Sequence, residues 1–289
     1  MEGYGSAEWL ENEFRSSDDD PWGHDWRGAE KYRYKLVLRL IRSYCPKASE
    51  EKAEWKILDI GCSTGEFTHL LYQFSKKVVG IDVSQTAINR AKCKFPNIDF
   101  KVSRFPGFQH GDIVFDLITC LEVLYYMDKQ TQENLLTEMK TMLDIDGKVI
   151  ITSYIGKKPY FIPEDLIRLV SAYLTIEHVE YYYGRAYYQM EYFFWKRFKQ
   201  IHKLIRLLSA DCQGLEHEVS NPSFWEIRFR ILVARNKILR LFIIHLLKIA
   251  KIIIKEIVSS EFPARLAHRL GINLVSCRSH IFIVASKSK

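Results

Sequence analysis

A five-residue turn with a glycine at each end most strongly limits what this chain can fold into. The turn, Gly61–Gly65 with the sequence GCSTG, follows a short apolar run, Ile57–Ile60, and precedes apolar side chains at helical spacing. A second apolar run, Val78–Ile81, ends in Asp82. The order strand, glycine turn, helix, strand and acid is typical of one half of a nucleotide-binding α/β sheet.

The residue types in this stretch indicate what kind of ligand it would hold. Glycine has no Cβ, so Gly61 and Gly65 allow a ligand to approach the backbone closely. Asp82 follows Gly65 by seventeen residues and ends the second predicted strand. A carboxylate there can accept hydrogen bonds from both hydroxyl groups of a ribose. The pattern therefore predicts a nucleoside site built from the turn and the acid.

Three chemistries could use such a turn. A dinucleotide-dependent dehydrogenase requires G-x-G-x-x-G, but Ser63 replaces the middle glycine and no third glycine follows. The turn also matches G-x-S-x-G, the nucleophile elbow of α/β-hydrolases, although only one predicted strand precedes Ser63 and Asp82 would then have no role. Binding of S-adenosylmethionine (SAM) needs one tight glycine turn and a ribose-binding acid. We predict SAM binding, with a serine hydrolase or a catalytically inactive scaffold at a membrane as alternatives.

The remaining apolar runs extend this pattern into a larger sheet. Five further strands are predicted, at Ile98–Val102, Phe115–Cys120, Lys148–Tyr154, Thr175–Tyr183 and Leu274–Ala285. Helices are predicted before the sheet at Glu8–Arg15 and Ala29–Tyr44, and Ser84 is a candidate N-cap for the helix after the second strand. We divide the chain into a helical cap or lid (1–54), a SAM-binding core (55–184), a helical insertion (185–270), and a final strand with its tail (271–289).

The positive charge of the chain is concentrated in the predicted insertion. The formal net charge is +7, and between Arg185 and Gly271 sixteen Lys and Arg residues stand against seven Asp and Glu residues. Within this segment, Ile231–Val258 is apolar almost throughout and carries basic residues at mostly helical spacing, namely Lys237, Arg240, Lys248, Lys251 and Lys255. Its longest run without Lys or Arg, Leu241–Leu247, is far shorter than the ~18–20 residues of a spanning helix.

Two interpretations of this amphipathic segment stay open. It could pack within a helical subdomain or a dimer contact, or it could lie on an anionic membrane surface. Nucleic-acid binding is disfavoured because the basic residues stand among long aliphatic side chains rather than alternating with aromatic ones. The acidic N-terminus lacks an apolar signal core, so we expect a cytoplasmic protein. Six scattered cysteines without a C-x-x-C pair indicate neither a zinc site nor a disulfide framework.

Four segments together resemble the class I SAM-dependent methyltransferases. They are Asp-Asp-Pro-Trp at 19–22, DIGCSTGEFT at 59–68, Asp82, and EVLYY at 122–126. More narrowly, the chain is similar to the NodS family, which N-methylates the deacetylated amino sugar of chitooligosaccharide nodulation factors. The resemblance covers roughly residues 17–155. It implies a Rossmann-like α/β fold whose seven-stranded sheet has an antiparallel last strand and helices on both faces.

The resemblance also implies a cofactor, an acceptor class and a set of site residues. The cofactor is SAM, and no metal is needed. The acceptor is a nitrogen or oxygen atom of a sugar, of a free or lipid-linked glycan, or of a related small molecule. The residues expected to contact the cofactor are Asp59, Gly61, Cys62, Ser63, Gly65, Asp82, Val83, Ser103 and Trp22.

Catalytic roles are expected directly after the fourth strand, where the methyl group should project. Glu122 could accept the proton of the acceptor or orient it. Tyr125 and Tyr126 offer hydroxyl groups, and aromatic faces for sugar stacking and for contacts with a cation near the sulfonium. His24 and Asp20 are secondary candidates if the N-terminal segment closes as a lid.

One position departs from the family pattern. Such enzymes usually have an acid after the third strand that binds the adenine amino group, and Arg104 stands there instead. Ser103 and Phe105 could hold adenine, or Asp112 could supply the acid.

Overall fold

The computed structural model describes residues 3–17, 20–45, 54–182 except 105, 110 and 112, scattered positions from 184 to 205, 237–271 and 278–287. Its centre is a single sheet of seven strands: β1 (Lys56–Ile60), β2 (Lys77–Asp82), β3 (Asp99–Val102), β4 (Phe115–Leu121), β5 (Leu143–Tyr154), β6 (Leu174–Tyr182) and β7 (His280–Lys287). The spatial order is β3-β2-β1-β4-β5-β7-β6. Strand β7 is antiparallel to both of its neighbours, and the other neighbouring pairs are parallel. The predicted Rossmann-like sheet with its antiparallel last strand is therefore confirmed.

The sheet order decides where a ligand can bind. The chain runs outward from β1 through β2 to β3 and then returns to β4 on the other side of β1. Where the strand order reverses in this way, a crevice opens at the carboxyl ends of the strands. The glycine turn follows β1 at this edge.

Eight helices are labelled here. They are α1 (Ala7–Arg15), α2 (Gly28–Tyr44), α3 (Glu66–Leu71), α4 (Gln85–Lys94), α5 (Lys129–Met142), α6 (Pro163–Ser171), α7 (Lys237–Ser259) and α8 (Glu261–Gly271), and a short 3-10 helix spans Leu124–Tyr126. Ser84 is the N-cap of α4 as predicted, because its Oγ accepts a hydrogen bond from the Ala87 N–H at 3.0 Å. Within the described ranges, no helix has both the length and the apolarity to cross a bilayer.

The start of strand β5 differs from the prediction. Strand β5 begins at Leu143 rather than at the predicted Lys148, so Asp146 and Gly147 lie inside the strand and do not form the turn that their residue types favour. Leu143 pairs with Phe115, both side chains are buried, and the register shifts between Phe115 and Leu117. Burial of this apolar pair outweighs the local turn preference of Asp-Gly. The predicted start of the last strand, at 274, and residues 231–236 of the long predicted helix lie outside the described residues.

The two faces of the sheet carry separate apolar layers. Successive side chains of a strand point to opposite faces. In β4, Leu117 therefore packs in the layer that contains Val37 and Ile41 of α2, whereas Ile118 packs in the layer that contains Leu135 of α5. Helix α2 is thus held against the sheet, with its first turns near the crevice.

The N-terminal helices are also fixed to the rest of the chain. The Glu11 carboxylate of α1 accepts hydrogen bonds from Ser84 Oγ at 2.6 Å and from Thr86 Oγ1 at 2.7 Å, at the start of α4. At the α7–α8 junction, a Cβ built on Gly28 would lie 2.0 Å from the Ser260 carbonyl oxygen, so this close approach to α2 requires glycine. The division of the chain at residues 54, 184 and 270 stays a prediction.

Candidate functional site

A cavity of about 1200 Å³ opens at the carboxyl ends of β1, β2 and β4. Its walls come from α1 and the residues before it, from the start of α2, from the glycine turn, and from the segment after β4. The predicted site residues on its walls are Trp22, His24, Gly61, Ser63, Asp82, Val83, Ser103, Glu122, Tyr125 and Tyr126. Segments far apart in the sequence therefore meet at one place.

The two glycines of the turn allow its left-handed backbone conformation and its close contacts with neighbouring side chains. Gly61 and Gly65 have φ values of +74° and +87°, in the left-handed region that glycine adopts readily. A Cβ on Gly61 would lie 2.3 Å from Val123 Cγ2, and one on Gly65 would lie 2.7 Å from Phe100 Cζ. Gly61 lines the cavity, whereas Gly65 faces Phe100 and does not. Only the first glycine is thus placed for a close approach of ligand to backbone.

The Asp82 carboxylate lines the cavity and has hydrogen-bond acceptor sites left for a ligand. Its Oδ2 accepts a hydrogen bond from the Ser63 N–H at 3.0 Å, and its Oδ1 accepts one from the Ser84 N–H at 2.9 Å. Burial raises the pKa of the Asp82 carboxyl, and these N–H groups act in the opposite direction. A carboxylate has about four acceptor sites. Each oxygen can therefore still accept a hydrogen bond from a ribose hydroxyl.

Two residues predicted to contact the cofactor lie behind the turn instead. Asp59 is buried and accepts hydrogen bonds from Thr68 Oγ1 at 2.6 Å and from Thr119 Oγ1 at 2.7 Å. Burial raises the pKa of Asp59 to about 6. Cys62 is also buried, and neither residue lines the cavity. Asp59 ties β1 to α3 and β4, so the geometry supports an indirect role.

Ser63 has an unusual backbone conformation and a hydroxyl group without a hydrogen-bond partner among the described residues. Its φ of 51° is left-handed, and its buried Oγ has no hydrogen-bond partner within the described part of the chain. A serine nucleophile needs a base within hydrogen-bond reach, so the hydrolase interpretation is not supported. A buried polar atom without a partner calls for a ligand or a water, and a polar ligand in the cavity would satisfy it.

Glu122 is held in place at the opposite wall. Its Oε1 accepts a hydrogen bond from Thr152 Oγ1 at 2.8 Å, and its Oε2 accepts one from the Tyr154 N–H at 2.7 Å. Burial raises the pKa of the Glu122 carboxyl. Its φ of +62° is left-handed, and such strain in a residue other than glycine is concentrated at functional sites.

An aromatic wall surrounds this end of the cavity. Tyr125 and Tyr126 lie with ring centroids 4.6 Å apart, and Tyr4, Trp9, Tyr154 and Tyr160 extend the same wall. The centroid of Tyr4 is 5.6 Å from that of Tyr126, and the centroid of Tyr125 is 5.1 Å from that of Tyr160. Tyr4, Trp9, Tyr154 and Tyr160 were not predicted as site residues. Their sequence signal, aromatic residues in polar segments, does not show which segments meet.

Three charged residues of α2 and its start were missed as well. Arg27, Glu30 and Arg33 line the cavity and are buried. Arg33 Nη2 donates to Glu30 Oε2 at 2.5 Å, and Arg33 Nη1 lies 3.7 Å from Glu122 Oε1. Their three-residue spacing places them on one helix face, which is the signal that could have identified them.

The segment before α2 brings Trp22 and His24 to the cavity. Asp20 itself is buried and does not line it, but its carboxylate accepts a hydrogen bond from the Trp22 N–H at 3.0 Å and pairs with His24 Nδ1 at 3.0 Å. Burial opposes a charge on His24, yet the Asp20 carboxylate outweighs it and raises the pKa of His24. Asp20 therefore acts on the site through His24.

The wall near β3 is described in part. Ser103 and Arg104 line the cavity, and Ser103 Oγ donates to the Arg104 carbonyl oxygen at 3.1 Å. Phe105 and Asp112 lie outside the described residues, so the contacts of adenine stay a prediction. Among the residues that can be described, no group of three or more His, Cys, Asp or Glu side chains could hold a metal ion.

Comparison with known proteins agrees with this geometry. Residues 57–147 match the model of a methyltransferase domain family. Nodulation protein S of Bradyrhizobium diazoefficiens is 31% identical over 139 residues, which cover 47% of this chain and 63% of that protein. The chain has the fold of a class I SAM-dependent methyltransferase. The nodulation protein S of Sinorhizobium fredii is 30% identical over 141 residues, 62% of its length. The chain thus spans just under two thirds of these relatives.

Solved structures extend the comparison of the methyltransferase domain. The N-methyltransferase NodS from Bradyrhizobium japonicum WM9, in complex with S-adenosyl-L-homocysteine, is 27% identical with a TM-score of 0.52. The match covers 61% of this chain and 90% of that one. The [4+2]-cyclase SpnF, 13% identical, has a TM-score of 0.52 over 89% of this chain and 82% of its own. That likeness shows the fold alone, and a fold does not determine a reaction.

Proposed function

We propose that this chain transfers a methyl group from SAM to a nitrogen or oxygen atom of a sugar, a glycan or a related small molecule. One observation carries the proposal. Asp82, anchored by the Ser63 and Ser84 N–H groups, and Glu122, anchored by Thr152 and Tyr154, share one cavity. The similarity to a NodS N-methyltransferase supports the reaction type.

The residues at the turn fit a nucleoside cofactor. Asp82 would bind the ribose hydroxyls, and Gly61 would let the cofactor lie against the backbone. The unpartnered Ser63 Oγ would gain a hydrogen-bond partner, which removes the cost of leaving a buried hydroxyl unsatisfied. SAM supplies an electrophilic methyl group on a sulfonium when it is bound.

At the other end of the cavity, the residues fit an acceptor. Methyl transfer is an in-line displacement, so the protein mainly has to align the acceptor and exclude water. The aromatic wall around Tyr125 and Tyr126 offers flat apolar faces for a sugar ring and keeps water out. An attacking amine must be neutral and an attacking hydroxyl must lose its proton. Glu122 would accept that proton at its carboxylate or orient the acceptor through a hydrogen bond.

A methylation screen tests this proposal. Purified protein is incubated with SAM carrying a deuterated methyl group and with matched pairs of amino-sugar and neutral oligosaccharides, and the products are read by mass. We expect a labelled methyl group on at least one acceptor, and about ten-fold less label or lower with the Asp82→Ala variant at limiting SAM. If the protein binds SAM but no saccharide or small amine gains the label, the proposed acceptor class is wrong.

We further propose that α7 and α8 dock the protein on an anionic membrane surface. Several large apolar side chains of these helices are exposed, including Ile252 (61%), Phe262 (67%) and Leu270 (72%). Phe262, Leu266 and Leu270 have four-residue spacing and therefore share one face of α8. Large exposed apolar patches mark contact sites for proteins or membranes.

The charge of the same helices favours the membrane as the partner. Lys248 and Lys255 are exposed on α7, and Lys251 stands between them in the sequence. Each Lys near an anionic leaflet contributes ~1 kcal/mol to binding, and burial of the adjoining apolar face adds to it. Such docking would bring the cavity close to lipid-linked acceptors.

Vesicle flotation tests the docking proposal. The protein should float with anionic vesicles, bind less as salt screens the charges, and fail to float when Lys248, Lys251 and Lys255 are replaced by glutamate. Replacement of three exposed lysines at the opposite edge of the sheet, Lys56, Lys76 and Lys77, changes the charge equally and should leave flotation intact. If the unmodified protein stays unbound on strongly anionic vesicles at low salt, α7 and α8 contact protein instead.

A further inference from the structure

A line of buried charges of alternating sign runs from the cavity to the helical positions near residue 191. Glu122 Oε1 lies 3.7 Å from Arg33 Nη1, and Arg33 Nη2 lies 2.5 Å from Glu30 Oε2. On the other side, Glu30 Oε1 lies 3.7 Å from Arg27 Nη1, and Arg27 Nη2 lies 2.6 Å from Glu191 Oε2. Arg27, Glu30, Arg33 and Glu191 are each 4% exposed or less.

Stability alone does not explain this arrangement. Removing several charges from water costs so much that a buried ion pair is often no more stabilising than apolar residues of the same size. Four of the five charges, namely Glu122, Arg33, Glu30 and Arg27, also line the cavity. A role in the site therefore accounts for their presence better than a role in folding.

The contacts of Arg33 converge on the Glu122 carboxylate. Arg33 Nη1 donates to Thr152 Oγ1 at 3.3 Å, and Thr152 Oγ1 donates in turn to Glu122 Oε1. Glu30 holds the guanidinium from the other side through Arg33 Nε at 3.0 Å and Nη2 at 2.5 Å. A guanidinium bound by two nitrogens has a fixed orientation, so its remaining edge is fixed towards Glu122.

We propose that Arg33 is a positioning residue, which holds the Glu122 carboxylate correctly oriented at the acceptor end of the cavity and stabilises its negative charge. Glu30 anchors Arg33, and Arg27 with Glu191 anchors Glu30. The proposal rests on the proposed function, since it assigns Arg33 to the same methyl transfer. It names a role for a residue more than eighty positions before Glu122.

The charge environment of Glu122 makes the proposal measurable. The titratable groups that act on it or are acted on by it are Arg33 and Glu30 from α2, Tyr154 from β5, Tyr126 from the 3-10 helix and Cys120 from β4. Burial raises the pKa of Glu122, Arg33 lowers it, and Glu30 raises it. Removing Arg33 and removing Glu30 should thus move the Glu122 titration in opposite directions.

The experiment follows the titration of Glu122 directly. Infrared difference spectra of protein labelled with ¹³C-glutamate are recorded against pH, and the Glu122 band is assigned by its loss in Glu122→Gln. Arg33→Gln should raise the midpoint by about 1–3 pH units, the effect of an opposite charge at this range. Glu30→Gln should lower it, and Arg33→Lys should keep it near that of the unmodified protein. Arg42→Gln, on the exposed side of the same helix, should leave it unchanged.

Turnover should follow the same shift. When SAM and acceptor are saturating, the acid limb of the plot of turnover against pH should move to higher pH in Arg33→Gln. This movement should equal the shift of the Glu122 midpoint, and the SAM affinity should stay unchanged. Equal midpoints in Arg33→Gln and Glu30→Gln would overturn the proposal. If Arg33→Gln does not fold, Glu30→Gln decides, and a midpoint that does not fall overturns it. Shifted midpoints without methylation of any acceptor would refute the proposed function and leave the Arg33–Glu122 coupling standing.

Discussion

The Ser63 N–H donates a hydrogen bond to Asp82 Oδ2 at 3.0 Å, across nineteen residues of chain. This bond joins the turn after β1 to the end of β2, and Asp82 also accepts a hydrogen bond from Ser84 at the start of α4. The acid expected to bind ribose therefore shapes the turn that would receive the cofactor. Substitutions at Asp82 therefore affect both the ribose site and the conformation of the turn.

Replacement of Asp82 by alanine should weaken SAM binding at least ten-fold. The change removes two ribose hydrogen bonds to a charged acceptor, each worth about 1 kcal/mol or more, and 1.4 kcal/mol corresponds to a factor of ten. Titration calorimetry measures the affinity. Asp99→Ala, an exposed acid on the neighbouring strand β3, is the matched control and should bind normally. Unchanged affinity in folded Asp82→Ala protein would contradict the assignment of the ribose site.

Ser63→Ala should retain most of the methyl transfer. Ser63 Oγ has no base within hydrogen-bond distance among the described residues, so the hydroxyl is not activated. A fluorophosphonate probe should leave the unmodified protein unlabelled. Stoichiometric labelling that disappears in Ser63→Ala would restore the hydrolase interpretation.

Glu122→Gln and Tyr125→Phe should lower turnover more than SAM affinity. Both side chains line the cavity at the end that we propose for the acceptor, and loss of a general base typically costs a factor of about 10²–10⁴. For Glu122→Gln we expect at least a ten-fold loss of turnover at saturating substrate, with SAM affinity within a factor of three, as a rough bound. Glu133→Gln on α5 serves as control. Full turnover in both variants would place the acceptor elsewhere.

Glu11 should contribute stability that depends on pH. Burial acts against its charge, but hydrogen bonds from Ser84 and Thr86 lower its pKa from 4.5 to about 2. A carboxyl whose pKa is lower in the folded state stabilises the protein above the unfolded value, and this contribution is lost as pH falls through the folded value. The window is thus from about 4.5 down to about 2.

Urea unfolding at several pH values checks this prediction. At pH 7, Glu11→Gln should be less stable by on the order of 1–2 kcal/mol, and the difference should shrink as the pH is lowered through the window. Glu8→Gln, which removes an exposed acid from the same helix, is the matched control for the change of charge. A difference that stays constant down to pH 3 (roughly the middle of the window) would refute the role of the Glu11 charge.

The elements whose causes are local could be predicted from the amino-acid sequence alone. Hydrophobic periodicity placed β1, α3 and β2, the glycine turn stood between them, and Ser84 was identified as a cap because its side chain bonds three residues along the chain. Asp82 could be identified because its distance from the turn follows from the helix and strand between them. In each case the interacting groups are close in sequence, so residue type and spacing are sufficient.

The folded structure was needed to show which distant segments share the cavity. Tyr4 lies against Tyr126, Arg33 approaches Glu122, and Glu191 accepts a hydrogen bond from the Ala29 N–H at 3.0 Å across 162 residues. The pairing of Leu143 with Phe115 likewise overrode a local Asp-Gly turn signal. Long-range contacts depend on how the sheet and the helices pack against each other. In the sequence, a buried arginine cannot be distinguished from an exposed one, because the partner that offsets its desolvation is not known.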